Sequence, residues 1–274
     1  MDKTNTINNQ QNYILIFEKA VLTMGSTVSV FIGIVDILGY TNAEHCIDQY
    51  GTEASSQIFG RLYSSLDTQV EKYNGGGVHW IRYGDGYVFY SETKDTDLLA
   101  IMIKNAINLL ALSLCQSIPL RISITQGDIK IINAGQSGLS ITGTGWNALQ
   151  NLEKSLDWMG GCLFLPHYEN HHHPTIKQLL TTTHLIIQQN NCSEKSQNFI
   201  APFKESNKYS KDRVWFFNWH KVLHQQNHEN DTLVKNWWHG FTNQNINENP
   251  AVQNKQKNTL EFAYYCNELY QVLN

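Results

Sequence analysis

The chain has 274 residues, of which 41% are hydrophobic and 16% charged, and its formal net charge at pH 7 is −4. This charge balance gives no electrostatic reason to expect a nucleic-acid or membrane-surface partner. The length is enough for one large domain with a buried core, or for one domain with an appendage. The five cysteines are widely spaced without a C-x-x-C pair, and we interpret them as reduced packing residues of a cytoplasmic protein.

The start of the chain is polar and resembles no signal peptide. The longest apolar segment, Leu98 to Leu114, is interrupted by Lys104 and two asparagines, so we expect no membrane span. We predict a disordered tail over residues 1–12.

The spacing of apolar residues predicts alternating strands and helices along the chain. In the first half these are a strand over 28–35, helices over 42–50 and 54–73, strands over 78–83 and 87–90, a helix from 95 or 96 to 114, and a strand over 120–125. In the second half they are a strand over 137–142, a helix over 146–159, a strand over 162–165, a helix over 175–180, strands over 185–188 and 214–219, and a helix over 259–273. This order predicts an α+β fold, in which helices pack on a sheet.

Two carboxylates stand out among these elements. Asp36 follows the strand over 28–35, and Asp85 is in Gly84-Asp85-Gly86, which is typical of a two-residue hairpin turn. If the two share one site, they form an oxygen-ligand pocket suited to Mg²⁺ or Mn²⁺. Taken singly, Asp36 is explained as well by a helix cap, and Asp85 is explained better by an ordinary turn.

Four motifs in order resemble the class III nucleotidyl cyclase catalytic domain. They are D-I-L-G-Y-T from Asp36, G-D-G at Asp85, L-R-I-S-I-T-Q-G from Leu120, and G-x-x-x-N ending at Asn147. The resemblance covers about residues 26 to 217. It implies a ferredoxin-like βαββαβ core with an antiparallel sheet. We therefore predict a cyclase domain over 13–219 and a helical C-terminal extension over 220–274.

The resemblance also implies roles for individual residues. Asp36, Asp85 and the carbonyl of Ile37 would hold two Mg²⁺ or Mn²⁺ ions per site, and Asn147 would act in the transition state. Backbone N–H groups of the turn after the strand would bind the β- and γ-phosphates, at Leu38, Gly39, Tyr40 and Thr41. Arg82, Arg121, Lys208 and Lys211 are candidates for the positive charge on the phosphates, because Asn151 stands where the family has an arginine.

The base pocket departs from both purine cyclase patterns. Ile81 lies four residues before Asp85, where adenylate cyclases have Lys and guanylate cyclases have Glu, and Ser140 replaces the Asp or Cys of the partner position. Intact metal ligands with an altered base pocket resemble the bacterial pyrimidine cyclases of Pycsar anti-phage defence. That resemblance implies UTP or CTP as substrate, cyclic UMP or cyclic CMP as product, and a separate effector that the product activates.

Assembly and the rival interpretations follow from the same motifs. The family forms its site between two domains, and one copy here carries both halves, which implies a head-to-tail homodimer. We favour uridylate cyclase over cytidylate cyclase. A catalytically silent module that dimerises or binds nucleotide and a purine cyclase with an unusual pocket remain alternatives.

Overall fold

The computed structural model describes residues 27–38, 52–115, 120–133, 139–166, 174–181, 185–187, 214–225 and 250–273. Within these ranges the strands are β1 (Val28–Ile37), β2 (Val78–Tyr83), β3 (Gly86–Ser91), β4 (Leu120–Asn133), β5 (Leu139–Thr142), β6 (Gly160–Phe164), β7 (Ile186–Ile187) and β8 (Val214–Phe217). The helices are α1 (Thr52–Tyr73), α2 (Thr96–Cys115), α3 (Thr144–Ser155), α4 (Pro174–Thr181), α5 (Trp219–Gln225) and α6 (Pro250–Leu273).

Seven of the strands form one continuous sheet in the order β2-β3-β1-β4-β6-β8-β7, and β5 pairs with the far end of β4. The central strand β1 is antiparallel to β3 on one side and to β4 on the other. The order β2-β3-β1-β4, built from β1-α1-β2-β3-α2-β4, is a ferredoxin-like core. The predicted α+β class and core are therefore confirmed.

The main hydrophobic core lies on the face of the sheet that α1 and α2 cover. Apolar residues of β1 alternate between the two faces, and Phe31, Val35 and Ile37 point into this core. Helix α2 buries ten residues along its length, which explains its nearly continuous apolar sequence. It is also the one helix, among those described, that is long and apolar enough to cross a membrane by length and composition, and 56% of that window is buried inside the protein.

A smaller core lies on the opposite face, where α3 packs against the sheet. Val30 and Ile32 of β1 meet Trp146 and Leu149 of α3 in this second cluster. Because successive strand residues face opposite sides, Asp36 belongs to the α3 face. The sheet therefore presents its first candidate carboxylate to α3, not to α1 or α2.

The C-terminal helix α6 packs into the main core. Phe262 is fully buried and makes edge-on ring contacts with Trp158 and Phe216. Thr259 Oγ1 accepts a hydrogen bond from the Met159 backbone N–H at 2.9 Å, and Asn258 Nδ2 donates to the Asp157 carbonyl at 2.8 Å. Helix α6 thus holds the segment that connects α3 to β6. The division between a cyclase domain over 13–219 and a C-terminal extension over 220–274 remains a prediction.

Several predicted boundaries differ from those in the structure. Strand β4 runs fourteen residues to Asn133, not to Thr125, because its outer half pairs with β5 across a hairpin. Helix α6 begins at Pro250, not near Thr259, since residues 253–258 are all polar and give no apolar period. The predicted tail over 1–12 and helix over 42–50 lie outside the described residues.

Candidate active site

Asp36 lies at the end of β1, where the strand is held on both sides. Val35 pairs with Tyr87 of β3, and Asp36 itself pairs with Arg121 of β4. The Asp36 side chain is 23% exposed, so it is accessible from the edge of the sheet while its backbone is fixed. The helix-cap alternative for Asp36 concerns residues after Leu38, which are not described.

The hairpin turn that carries Asp85 packs beside Asp36. Because Val35 pairs with Tyr87, the next position of β3, Gly86, lies next to Asp36. A Cβ on Gly86 would lie 1.9 Å from the Val35 carbonyl oxygen and 3.5 Å from the Asp36 Cα. Only glycine allows this approach, and Asp85 directly precedes it. The structure thus brings the backbones of Asp36 and Asp85, the two predicted metal ligands, together at the end of β1.

Asp36 is part of a buried ion-pair network. Arg121 Nη2 donates to Asp36 Oδ2 at 2.6 Å and also contacts Glu153 Oε1 on α3, while Nη1 donates to the Leu156 carbonyl at 2.9 Å. The Arg121 and Glu153 side chains are only 10% and 11% exposed. Two carboxylates and one guanidinium leave a net charge of about −1 beside the end of β1. Arg121, a candidate for phosphate charge, is therefore engaged by carboxylates of its own chain.

These residues fit a divalent metal ion by the chemistry of their donors. Asp36, Asp85 and the Ile37 carbonyl supply oxygen atoms, which Mg²⁺ and Mn²⁺ prefer. Among the described residues, no three or more His, Cys, Asp or Glu side chains form a group ready to hold a metal ion. Sites that use one or two carboxylates with substrate phosphates do not need such a group.

A second polar network braces the hairpin from the α1 face. The Arg82 guanidinium lies 4.0 Å from the centroid of the Tyr63 ring and 3.7 Å from Asp67 Oδ2. Tyr63 Oη donates to the Asp85 carbonyl at 3.4 Å, and Tyr87 Oη donates to Asp67 Oδ1 at 2.5 Å. Burial, followed by this hydrogen bond to Asp67, raises the pKa of Tyr87 well above 10.0, so the hydroxyl remains a donor.

Arg82 lies on the opposite face of the sheet from the site candidates Ile81, Asp36 and Arg121. Arg82 and Ile81 are neighbours in β2, and their side chains lie on opposite faces of the sheet. Ile81 packs against the second core with Tyr83, on the side of Asp36 and Arg121. The structure does not bring the Arg82 side chain together with Asp36, and its catalytic role remains a prediction.

Helix α3 docks closely on β4 and carries Asn147 near its start. A Cβ on Gly127 would lie 2.4 Å from the Gly145 Cα, so two glycines let helix and strand backbones touch. Asn147 is exposed in the first turn, and its N–H donates to the Gly143 carbonyl at 3.1 Å. Glu153, which meets Arg121, lies about 9 Å further along the helix axis. The ring of Trp146, the residue before Asn147, lies 5.2 Å from the ring of Tyr83, which precedes the Asp85 turn in β2.

Ser140 lies far from Asp36. It is exposed on β5, opposite Ile132 of β4, whereas Asp36 pairs with Arg121. Eleven strand residues separate these two points of β4, a distance of about 37 Å. A single chain therefore does not bring Ser140 to Ile81 or Asp36.

Some predicted site residues lie outside the described part of the chain. These are Gly39, Tyr40, Thr41, Lys208 and Lys211. Leu38 is the last described residue after β1, and it is buried. The predicted phosphate-binding turn and basic residues therefore remain predictions.

Comparisons with known proteins agree with this architecture. No protein-family model matches the chain, and no curated protein matches its sequence. Among solved structures, a bacterial light-regulated adenylyl cyclase matches with a TM-score of 0.50 and 12% identity, over 87% of this chain and 68% of that one. The fold is that of a class III nucleotidyl cyclase domain.

Two guanylyl cyclase domains match the chain more loosely. The guanylate cyclase domain of RhGC from Catenaria anguillulae, in complex with GTP, has a TM-score of 0.43 and 13% identity, over 70% of this chain and 96% of that one. A double mutant of the guanylyl cyclase domain of the RhoGC fusion protein from the aquatic fungus Blastocladiella emersonii has a TM-score of 0.39 and 15% identity, over 50% and 80%. At these identities the likeness concerns the fold alone.

Sequence reasoning missed Glu153 as a member of the site. Trp146, Leu149 and Glu153 fall at i, i+3 and i+7 of α3, so Glu153 occupies the buried face of this cyclase-fold helix. A carboxylate at such a position requires a buried cationic partner. That pattern was available in the sequence, but only the fold identifies Arg121 as the partner.

Proposed function

We propose that this protein is a metal-dependent nucleotidyl cyclase that converts UTP to cyclic UMP and pyrophosphate. The observation that carries the proposal is the packing of the Asp85 turn beside Asp36, through Gly86. The class III cyclase fold supports it, as does an adenylyl cyclase among the matching structures. A buried arginine and glutamate beside Asp36 support a charged site at the end of β1.

The reaction needs positioning and charge stabilisation more than covalent chemistry by the protein. The ribose 3′-oxygen attacks the α-phosphorus, the bond from that phosphorus to the β-bridging oxygen breaks, pyrophosphate leaves, and the 3′-hydroxyl proton passes to solvent. Two divalent ions, when bound, would activate the attacking oxygen and neutralise the leaving group. Asp36, Asp85 and the Ile37 carbonyl would hold them.

Other residues of the chain orient the substrate in this proposal. Backbone N–H groups from Leu38 to Thr41 bind the terminal phosphates, and Lys208 and Lys211 supply positive charge there. The exposed Asn147 amide contacts the reacting ribose and phosphate. Arg82 acts through Tyr63 and Asp67, by holding the Asp85 turn.

Base choice rests on Ile81 and Ser140. The half-buried Ile81 offers no hydrogen bond to a purine edge, and a purine in such a pocket would leave polar groups unpaired. The Ser140 hydroxyl both donates and accepts, so it suits the 4-position of uracil or of cytosine. Cytidylate cyclase is therefore the alternative within the same reaction.

The proposed enzyme works as a head-to-tail homodimer with two sites. In support, Ser140 lies about 37 Å along β4 from the point where Asp36 pairs with Arg121. A partner chain placed head to tail brings Ser140 and Asn147 to the metal carboxylates. We propose a cytoplasmic enzyme whose cyclic product activates a separate effector in anti-phage defence.

One observation favours a second candidate function. Asn151, an uncharged and exposed residue of α3, stands where the cyclase helix has an arginine. A catalytically silent module that binds nucleotide or dimerises would tolerate this change. Retention of Asp36 and of Asp85, whose turn packs beside it, favours the enzyme.

The experiment that tests the proposal is incubation of the purified protein with each of the four nucleoside triphosphates and Mn²⁺. Mass spectrometry of the products should find cyclic UMP, or cyclic CMP for the alternative, and pyrophosphate in equal amount. Absence of any cyclic nucleotide would favour the silent module. Faster conversion of ATP or GTP than of either pyrimidine would contradict the base assignment.

A further inference from the structure

The ion pair with Arg121 opposes the proposed role of Asp36 as a metal ligand. A guanidinium that donates to Asp36 Oδ2 at 2.6 Å neutralises the carboxylate that the proposed function needs for a cation. With Asp36 as its only acidic partner, Arg121 would form a neutral pair. A neutral pair attracts a divalent cation weakly, and the buried arginine cannot lose its proton.

Glu153 restores the missing negative charge. Its carboxylate contacts the same Nη2 atom of Arg121, from the α3 side, and it is almost as buried as the arginine. The three groups together carry a charge of about −1, as Asp36 alone would.

The geometry also shows how Glu153 fixes the arginine. Arg121 has one acceptor on β1, one on α3 and a third in the Leu156 carbonyl after α3. Charge-assisted hydrogen bonds of this kind are strong and directional. The guanidinium is thus held between strand and helix, and only one Asp36 oxygen is used by it.

We propose that Glu153 is a positioning residue for the metal site: by sharing Arg121, it leaves Asp36 charged and oriented for a divalent cation. The inference rests on the proposed function for the role of Asp36 as a metal ligand. Glu153 itself touches neither metal nor nucleotide. Its contribution passes through the Arg121 guanidinium to Asp36.

The test is Mn²⁺ binding to the full-length protein without nucleotide, measured by electron paramagnetic resonance of the free ion. In Glu153→Gln the side chain keeps its shape and loses its charge, so the dissociation constant for Mn²⁺ should rise about tenfold. Glu153→Asp, which keeps the charge, should bind within about threefold of the wild type. Glu71→Gln, an exposed change on α1, is the matched control and should bind as the wild type does. Asp36→Asn should remove the binding.

A double variant separates charge balance from simple structural support. Arg121→Gln with Glu153→Gln removes one charge of each sign, and Asp36 is left with its own charge. Mn²⁺ affinity should then return to within about threefold of the wild type. A purely structural role predicts the opposite, because the double variant loses more contacts than the single one. If Glu153→Gln alone does not fold, Glu153→Asp and the double variant still decide the question.

Two results would overturn the inference. One is Mn²⁺ binding unchanged in folded Glu153→Gln, or absent from the wild type. The other is a double variant that binds no better than Glu153→Gln. If the wild type binds Mn²⁺ through Asp36 and cyclises no nucleotide, the proposed function fails while the inference about Glu153 stands.

Discussion

Asp36 and Arg121 face each other across β1 and β4, and Arg121 Nη2 lies 2.6 Å from Asp36 Oδ2. This pair fixes the first metal carboxylate of the proposed site against the sheet. It also ties that carboxylate to α3, since Arg121 contacts Glu153. The pairing of β1 with β4 therefore sets both the position and the charge of the site.

Removal of either metal carboxylate should abolish cyclisation. Asp36→Asn and Asp85→Asn keep side-chain volume but lose the negative charge, and loss of one such central electrostatic group costs on the order of 10²–10³ in rate. Turnover of UTP with Mn²⁺ measures the effect, and size-exclusion chromatography checks that the dimer persists. Asp128→Asn, an exposed carboxylate on β4, is the control. Wild-type turnover in either variant would refute the metal assignment.

The base pocket should respond to substitution at two positions. Ile81→Lys combined with Ser140→Asp supplies a donor and an acceptor that can pair with adenine. We expect the ratio of ATP to UTP turnover to rise about tenfold or more, because unpaired polar groups in the purine complex become paired. Competition between equimolar ATP and UTP, read by mass spectrometry, measures the ratio. An unchanged ratio would mean that neither residue contacts the base.

Two inactive variants should complement each other across the dimer. In a mixed dimer of Asp36→Ala and Asn147→Ala, one site draws both residues from unmutated positions, while the other carries both lesions. Random mixing should restore about a quarter of wild-type activity per chain. Co-expression and single-turnover assays test this, with Asn147→Ala alone as the inactive reference. No recovery in a well-mixed sample would mean either that the site lies within one chain or that Asn147 does not act across the interface.

The contact between α6 and the segment after α3 should contribute measurably to stability. Thr259→Val keeps the volume but leaves the buried Met159 N–H without its acceptor, which costs about 1–3 kcal/mol. Urea unfolding measures this loss. Thr259→Ser, which keeps the hydroxyl, should lose less. Greater destabilisation by Thr259→Ser than by Thr259→Val would show that the methyl group, not the hydrogen bond, matters.

Alkaline pH should destabilise the fold partly through a buried cysteine. Burial raises the pKa of Cys162 to about 12 from an ordinary 9.0, so the folded state keeps a proton that the unfolded chain releases. The stability that Cys162 contributes as a neutral thiol is complete below pH 9, and it is lost as the pH rises from 9 towards 12. In Cys162→Ala, the drop in urea midpoint between pH 7 and about pH 10.5 should be smaller than in the wild type, under reducing conditions. An equal drop in the variant and the wild type would exclude Cys162 as a source of the loss of stability at alkaline pH.

The sequence alone predicted the α+β fold and most of the order of elements, but not helix α5, which begins at Trp219 where a strand was predicted. Apolar periods of two and of about 3.6 residues marked β1, β2, α1 and α2 because each element buries one face or stripe. Glycine at 84 and 86 marked the hairpin, and four ordered motifs identified Asp36, Asp85 and Asn147 as candidates. Each of these signals depends on residues that are close together in the sequence.

Only the tertiary structure decided which candidates meet. Asp36 and Asp85 are 49 positions apart, and the pairing of β1 with β3 brings their backbones together. Arg82 and Ile81 are adjacent in sequence, yet the pleat of β2 puts their side chains on opposite faces. Glu153 meets Arg121 because glycines let α3 lie directly on β4. Strand register and helix docking join residues distant in sequence, and no local pattern specifies them.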